Sequence, residues 1–264
     1  MKNYQFSEIP RSRIATFDIF SVGLGKHHVS ALLEFDVTSA RRGLQELRRQ
    51  GLNISFNAFL IKTIGNVISR NPDAAAYIFN RRKLIRFNDI NISVLVEKSI
   101  NGAKVPVPLV IEKADSISAI EITSKIEEAR KGEMNEGDIV SGRDTGFAEK
   151  LYYQLPGFLR RLTWHIMLAN PVFAYRKMGN VVITSVGMIG KINGWFIHKS
   201  IHPVSFGVGS ILKKAVVVED EVKIREILNM TILVDHDVID GAPMVRMLND
   251  LTRQLENFDP SLLM

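Results

Sequence analysis

The sequence predicts an α/β fold, a mixed β-sheet with helices packed on it. Apolar or alternating runs of strand length recur among a few helical stretches, the pattern of a sheet covered by helices. The 264 residues are 46% hydrophobic and 23% charged, a length that fits one large domain or two small ones and allows one shared core. No internal repeat or low-complexity tract interrupts the chain.

Taken in order, residues 14–20 and 29–35 read as strands, with a turn at residues 23–28 between them. Over residues 39–50 the period becomes helical, with Leu44 and Leu47 on one face, arginines on the other and Gly51 as the stop. Residues 56–69 form a second helix, apolar enough to be buried. Strands follow at residues 91–96 and 105–111, then a helix of mixed charge at residues 121–131 closed by Gly132. Residues 133–146 are rich in Gly, Asp, Glu and Asn and read as a loop. Residues 147–177 are helical, basic and aromatic, broken into short helices by Pro156 and Pro171. Apolar strands fill the final third, and residues 243–255 make the last helix.

Composition excludes several functions. Cysteine is absent, so disulfides, cysteine nucleophiles and thiolate metal sites are ruled out. The N-terminus lacks the apolar core of a signal peptide, and no window reaches the roughly 18 apolar residues of a membrane span; cytoplasm is the expected location. The net charge of +6 is dispersed in small groups such as Arg41-Arg42 and Arg160-Arg161. No zinc-finger spacing or RNA-recognition signature accompanies it, which speaks against nucleic acid and for a solvated face or a cleft for an anionic ligand. GxGxxG, GxxxxGK[ST] and GxSxG patterns are all missing.

One motif carries chemistry. Asp235-His236-Asp237-Val238-Ile239-Asp240-Gly241 follows the apolar run Ile232-Leu233-Val234, so the histidine stands at a strand's end, and Gly241 lets the chain turn into the last helix. A histidine facing a cleft there can take and return a proton near neutral pH. Among the other five histidines, His27 and His28 read as surface residues in a turn, and His165 as packing or a surface contact. His198 and His202 flank Ser200 without a carboxylate at ligand spacing, and no metal is expected.

The segment around His236 resembles the C-terminal signature of the acyltransferase component of 2-oxo-acid dehydrogenase complexes, whose fold and HxxxDG motif are shared with chloramphenicol acetyltransferase. Further blocks resemble that family in its own order. Pro72-Asp73-Ala74 resembles its helix end, and Asn91 to Val96 with Gly102 to Val107 its paired central strands. Val182-Ile183-Thr184-Ser185 through Gly190 resembles its hydroxyl-bearing strand, and His202 to Gly209 the strand before its last hairpin. The resemblance implies a chloramphenicol-acetyltransferase-like catalytic domain over residues 1–264, with a helical insertion at about 143–179. The lipoyl domain, the subunit-binding domain and the linker of that component are not expected in the chain.

The same resemblance implies a function. His236 would be the general base that deprotonates an acceptor thiol for attack on a thioester carbonyl, with acyl-coenzyme A as substrate. A lipoyl group would be supplied by another protein, and a hydroxyl acceptor stays open beside the thiol. An imidazole of about 6.5 suits a thiol of about 8.5. The oxyanion donor falls on Thr184, with Ser185 in reserve because alternation turns it to the other side of the strand. Asp240 would be structural, held by Arg13 or alternatively Arg11, with Gly241 completing the loop. The implied assembly is a homotrimer whose active sites lie between subunits. Asp237 stands where the family has arginine, and it motivates the alternative of a non-catalytic scaffold that keeps the fold. For the aromatic and basic segment, packing or subunit contact is expected over contact with a membrane surface.

Overall fold

A computed structural model describes residues 4–7, 9, 11–100, 103–131, 151–185 and 190–264. Eight strands are described: β1 (His28–Asp36), β2 (Tyr77–Phe79), β3 (Lys83–Ile85), β4 (Ile92–Ile100), β5 (Ala103–Ile111), β6 (Val181–Ser185), β7 (Val204–Val218) and β8 (Glu221–Asp235). Six of them form one mixed sheet in the order β1-β8-β7-β6-β4-β5, while β2 and β3 pair separately. β4, β6 and β7 run parallel, and the other pairings are antiparallel. The paired strands read from residues 91–96 and 105–111 lie at one edge of this sheet, not at its centre.

Helices α2 (Thr38–Arg49), α3 (Phe56–Arg70), α4 (Ala119–Lys131) and α7 (Gly241–Glu256) cover one face. Val204, Phe206 and Val208 of β7 join Leu228, Met230, Ile232 and Val234 of β8 in the core, against Phe59 and Ile64 of α3 and Met247 and Leu251 of α7. The strand period of two sends Ser205 and Gly207 to the opposite face. β8 is buried on both faces over residues 227–235. Part of its second cover is the segment 190–203, tied down by Asn229 Nδ2 to Gly194 O at 3.2 Å and by Trp195 Nε1 to Leu33 O at 3.0 Å.

The expected strand at residues 14–20 is instead the middle of a helix, α1 (Arg11–Gly23). Ala15 and Asp18, three residues apart, are buried, while Phe17 and Phe20 are exposed, so the operative period is helical. The reason lies far along the chain. Asp18 accepts from Arg160 Nε at 2.7 Å and from the Tyr152 hydroxyl at 2.8 Å, and Trp164 Nε1 donates to that hydroxyl at 3.0 Å. A buried carboxylate needs such partners, and alternation in the local sequence carries no trace of them.

The aromatic and basic segment contains α5 (Gly157–Ala169) and α6 (Pro171–Met178), with Pro156 and Pro171 at their starts. Tyr175 of α6 stacks on Phe87 with ring centroids 3.8 Å apart and bonds Asp89 O at 3.0 Å. Gly179 ends α6 at φ +74°, where a β-carbon would collide with Asn91 O; only glycine fits. The expected loop at residues 133–146 and residues 186–189 of the block that runs through Gly190 lie outside the described residues.

Candidate active site

β8 ends at Asp235, and residues 236–238 form a turn before α7 starts at Gly241. The turn is anchored on the segment that leads into β1. His236 N donates to His27 O at 3.0 Å, Lys26 Nζ pairs with the buried Asp235 at 2.6 Å, and His27 Nδ1 lies 2.9 Å from Asp237 Oδ2. Val238 N returns to Asp235 O at 3.1 Å, and Val238 and Ile239 are buried. The His236 side chain itself is exposed and makes no hydrogen bond among the described residues. Backbone and neighbours are fixed while the imidazole is left free, which suits a base that must meet a substrate.

The expected Arg13–Asp240 pair does not form. Both residues are exposed, no ion pair or hydrogen bond joins them, and Asp240 caps α7 by position without a side-chain bond. Arg13 rides on α1, which the Asp18 clasp ties to α5. Lys26 and His27 hold the loop instead. Asp237, the residue that departs from the family pattern, is one of its anchors through His27. Gly241 opens α7 with open space around it.

Thr184 lies on β6 directly opposite Gly207 of β7, and Gly207 lies opposite Thr231 of β8. Thr184 is half-buried and its hydroxyl makes no hydrogen bond among the described residues, while the Thr231 hydroxyl on the same face is buried without a partner. Ser185 faces the other way, into a groove of about 440 Å³, partly open to solvent, between the sheet and α3 and α4; Asn57, Leu60, Ile126 and Arg130 share its lining. His236 comes five residues after Thr231, roughly 15 Å along the strand, and Thr184 is two strands to the side. Within one chain the two groups do not meet.

His27 is exposed as expected, but His28 is a half-buried β1 residue whose Nε2 bonds His202 O at 2.9 Å, and burial lowers its pKa. His165 is exposed. His202 is buried, with Nε2 donating to Met178 O at 3.0 Å, and its pKa is pushed down to about 4 by burial. His198 is likewise brought to about 4, by burial first and then by His28 nearby, and its Nε2 bonds Ser205 Oγ. Sequence reasoning missed Lys26, His27 and Asp235 as anchors; the run Lys26-His27-His28 and the aspartate before His236 were the available signals. Beside the loop, Arg70, Asn71, Asp73, Ile239, Pro243 and Arg246 line an open cleft. No cluster of three metal-ligating side chains occurs among the described residues.

Comparison with known proteins bears on the family and the fold. The profile of the family described as 2-oxoacid dehydrogenases acyltransferase (catalytic domain) matches residues 24–143 and 176–264. The chain is 23% identical over 248 residues to the dihydrolipoyllysine-residue acetyltransferase component of the Bacillus subtilis pyruvate dehydrogenase complex, covering 90% of this chain and 46% of that protein. It thus spans about half the length of the curated relatives it matches. The fold is similar to that of Azotobacter vinelandii dihydrolipoamide acetyltransferase, a structure concerned with a serine, a histidine and an asparagine in the catalytic mechanism. The TM-score is 0.68 at 16% identity, covering 98% of this chain and 95% of that one. Chloramphenicol acetyltransferase matches with a TM-score of 0.50 at 13% identity, covering 100% and 99%.

Proposed function

The chain belongs to the 2-oxoacid dehydrogenase acyltransferase (catalytic domain) family, and from that premise we propose that it moves an acyl group between coenzyme A and an acceptor thiol of the lipoamide kind, with a hydroxyl as the other acceptor class. The observation that carries this reading is the His236 imidazole, exposed and unengaged on an anchored loop. His236 takes the proton of the acceptor thiol as its sulfur attacks the thioester carbonyl. Thr184 donates its hydroxyl hydrogen to the resulting oxyanion, an interaction worth about 3 kcal/mol. The carbon–sulfur bond to the departing thiolate then breaks, and His236 returns the proton to that sulfur.

Two features support Thr184 over Ser185. Thr184 lies on the face away from α3 and α4, while Ser185 lines the groove under those helices. In the Azotobacter enzyme the named serine precedes the histidine by 52 residues and the asparagine follows it by 4; Thr184, His236 and Asp240 repeat both spacings.

Because one chain keeps His236 and Thr184 apart, the site is completed by a second copy in a trimer. Val217, Val222 and Ile224 on the β7–β8 hairpin are each more than 70% exposed, apolar surface of the kind that association covers. Coenzyme A and lipoamide, the latter carried by another protein, are the expected partners. The scaffold alternative drew on Asp237, whose side chain is occupied with His27 as a loop anchor.

The test is acyl exchange between acetyl-coenzyme A and dihydrolipoamide, extended to a panel of acyl groups. His236→Ala should lower turnover by on the order of 100–10,000-fold with an unchanged unfolding midpoint. Mixed refolded subunits of His236→Ala and Thr184→Ala should regain part of the lost activity. Full turnover in His236→Ala would overturn the mechanism, and a fully active monomer would overturn the shared site.

A further inference from the structure

Two buried polar atoms on the Thr184 face, His198 Nδ1 and Thr231 Oγ1, have no role in the mechanism above. His198 Nδ1 is shielded from solvent and has no hydrogen-bond partner. The ring lies over Gly207, where a β-carbon would come within 2.7 Å of Nδ1 and 2.9 Å of Cε1. Gly207 is the residue paired with Thr184 across the parallel β6–β7 ladder. Their side-chain positions therefore share one face of the sheet, about 5 Å apart. Gly207 lies between Thr184 on β6 and Thr231 on β8, and His198 Nδ1, the buried Thr231 hydroxyl and the Thr184 hydroxyl all lack a hydrogen-bond partner among the described residues.

The other ring nitrogen fixes the proton. Ser205 is fully buried, and its hydroxyl has His198 Nε2 as its hydrogen-bond partner. With Ser205 as the donor to Nε2, the neutral ring carries its single proton on Nδ1. Burial holds the ring neutral, with its pKa near 4. A buried nitrogen without a partner is costly, and an apolar side chain over Gly207 would avoid that cost. An unpartnered buried atom beside a reacting hydroxyl calls for an explanation in function.

We propose that His198 is a positioning residue for the oxyanion donor: Ser205 donates to Nε2, Nδ1–H is directed at the Thr184 oxygen, and the threonine's own hydrogen is left for the substrate oxyanion. The inference rests on the reading of Thr184 given above. Gly207 belongs to the arrangement because any side chain there would displace the ring.

Two measurements test it. In acetyl exchange, His198→Phe should lower kcat about 10-fold with little change in KM, and His198→Asn, which keeps a donor near the Nδ1 position, should retain most of the rate. In a Thr184→Ala background, His198→Phe should lower kcat no further, since its effect runs through the missing hydroxyl. Equal losses in both backgrounds would overturn the proposal and leave the role of Thr184 standing. Full activity of Thr184→Ala would instead sink the functional reading. Independently of activity, nitrogen-15 spectra of the imidazoles in the wild-type protein should show His198 neutral and protonated at Nδ1, with the resonances assigned by their loss in His198→Asn. A ring protonated at Nε2 would overturn the proposal whatever the activities of the variants.

Discussion

The turn after β8 and the segment over Gly207 both present histidines, and they use them in opposite ways. At His236 the ring is free, and the fixing is done by the Lys26–Asp235 pair and the His27 contacts around it. In the segment 198–202 the rings do the fixing: His202 bonds Met178 O and His198 bonds Ser205. Burial keeps the second pair neutral. Residue type sets what an imidazole can do, and the environment decides whether it serves as a base or as a strut.

The contrast breaks first at the anchor of the free ring. Lys26→Met leaves the Asp235 carboxylate, 2% exposed, without its cation. Losing one partner of a buried pair costs about 3–5 kcal/mol. Urea unfolding should show that loss, with acyl exchange falling as the His236 loop loses its hold; an unchanged midpoint would remove Lys26 from the design.

The struts should reveal themselves through pH. His202 has a folded pKa near 4 against an ordinary 6.5, so between those values the unfolded chain binds a proton that the native state refuses. Its contribution is therefore fully present above pH 6.5 and declines as pH falls toward 4, by up to about 1.4 kcal/mol per pH unit. His202→Gln, which cannot titrate, should flatten the stability–pH curve in that window. Parallel curves for the two proteins would show that the ring is not held neutral.

The smallest effect belongs to the exposed contact. Asp237→Asn weakens the bond to His27, whose side chain is 75% exposed, and such surface pairs are worth about 0–1 kcal/mol. Midpoint and turnover should shift only slightly, and a large fall in turnover would mean that Asp237 acts in the chemistry and not on the loop.

Much of this molecule was legible before any coordinates. The α2 face of Leu44 and Leu47, the buried α3 and the strand running into His236 each rest on local periodicity, which the core confirms residue by residue. Residues 14–20 were misread because Asp18 is buried against Arg160 and Tyr152, more than 130 positions away. Arg13 and Asp240 lie even farther apart in sequence, and nothing local says that they do not meet.

The sequence by itself determined the period of most elements, the motif that singles out His236 and the hydroxyls available on β6, because these depend on neighbours along the chain. Only the tertiary structure decided which groups share a surface. Strand order places Thr184 beside Gly207 and far from His236. Packing of the segment 190–203 puts His198 over that glycine with one nitrogen unpaired, and the approach of residues 26–27 to the end of β8 supplies the anchors. Each is a contact between distant segments, fixed by sheet register and burial and invisible to local pattern.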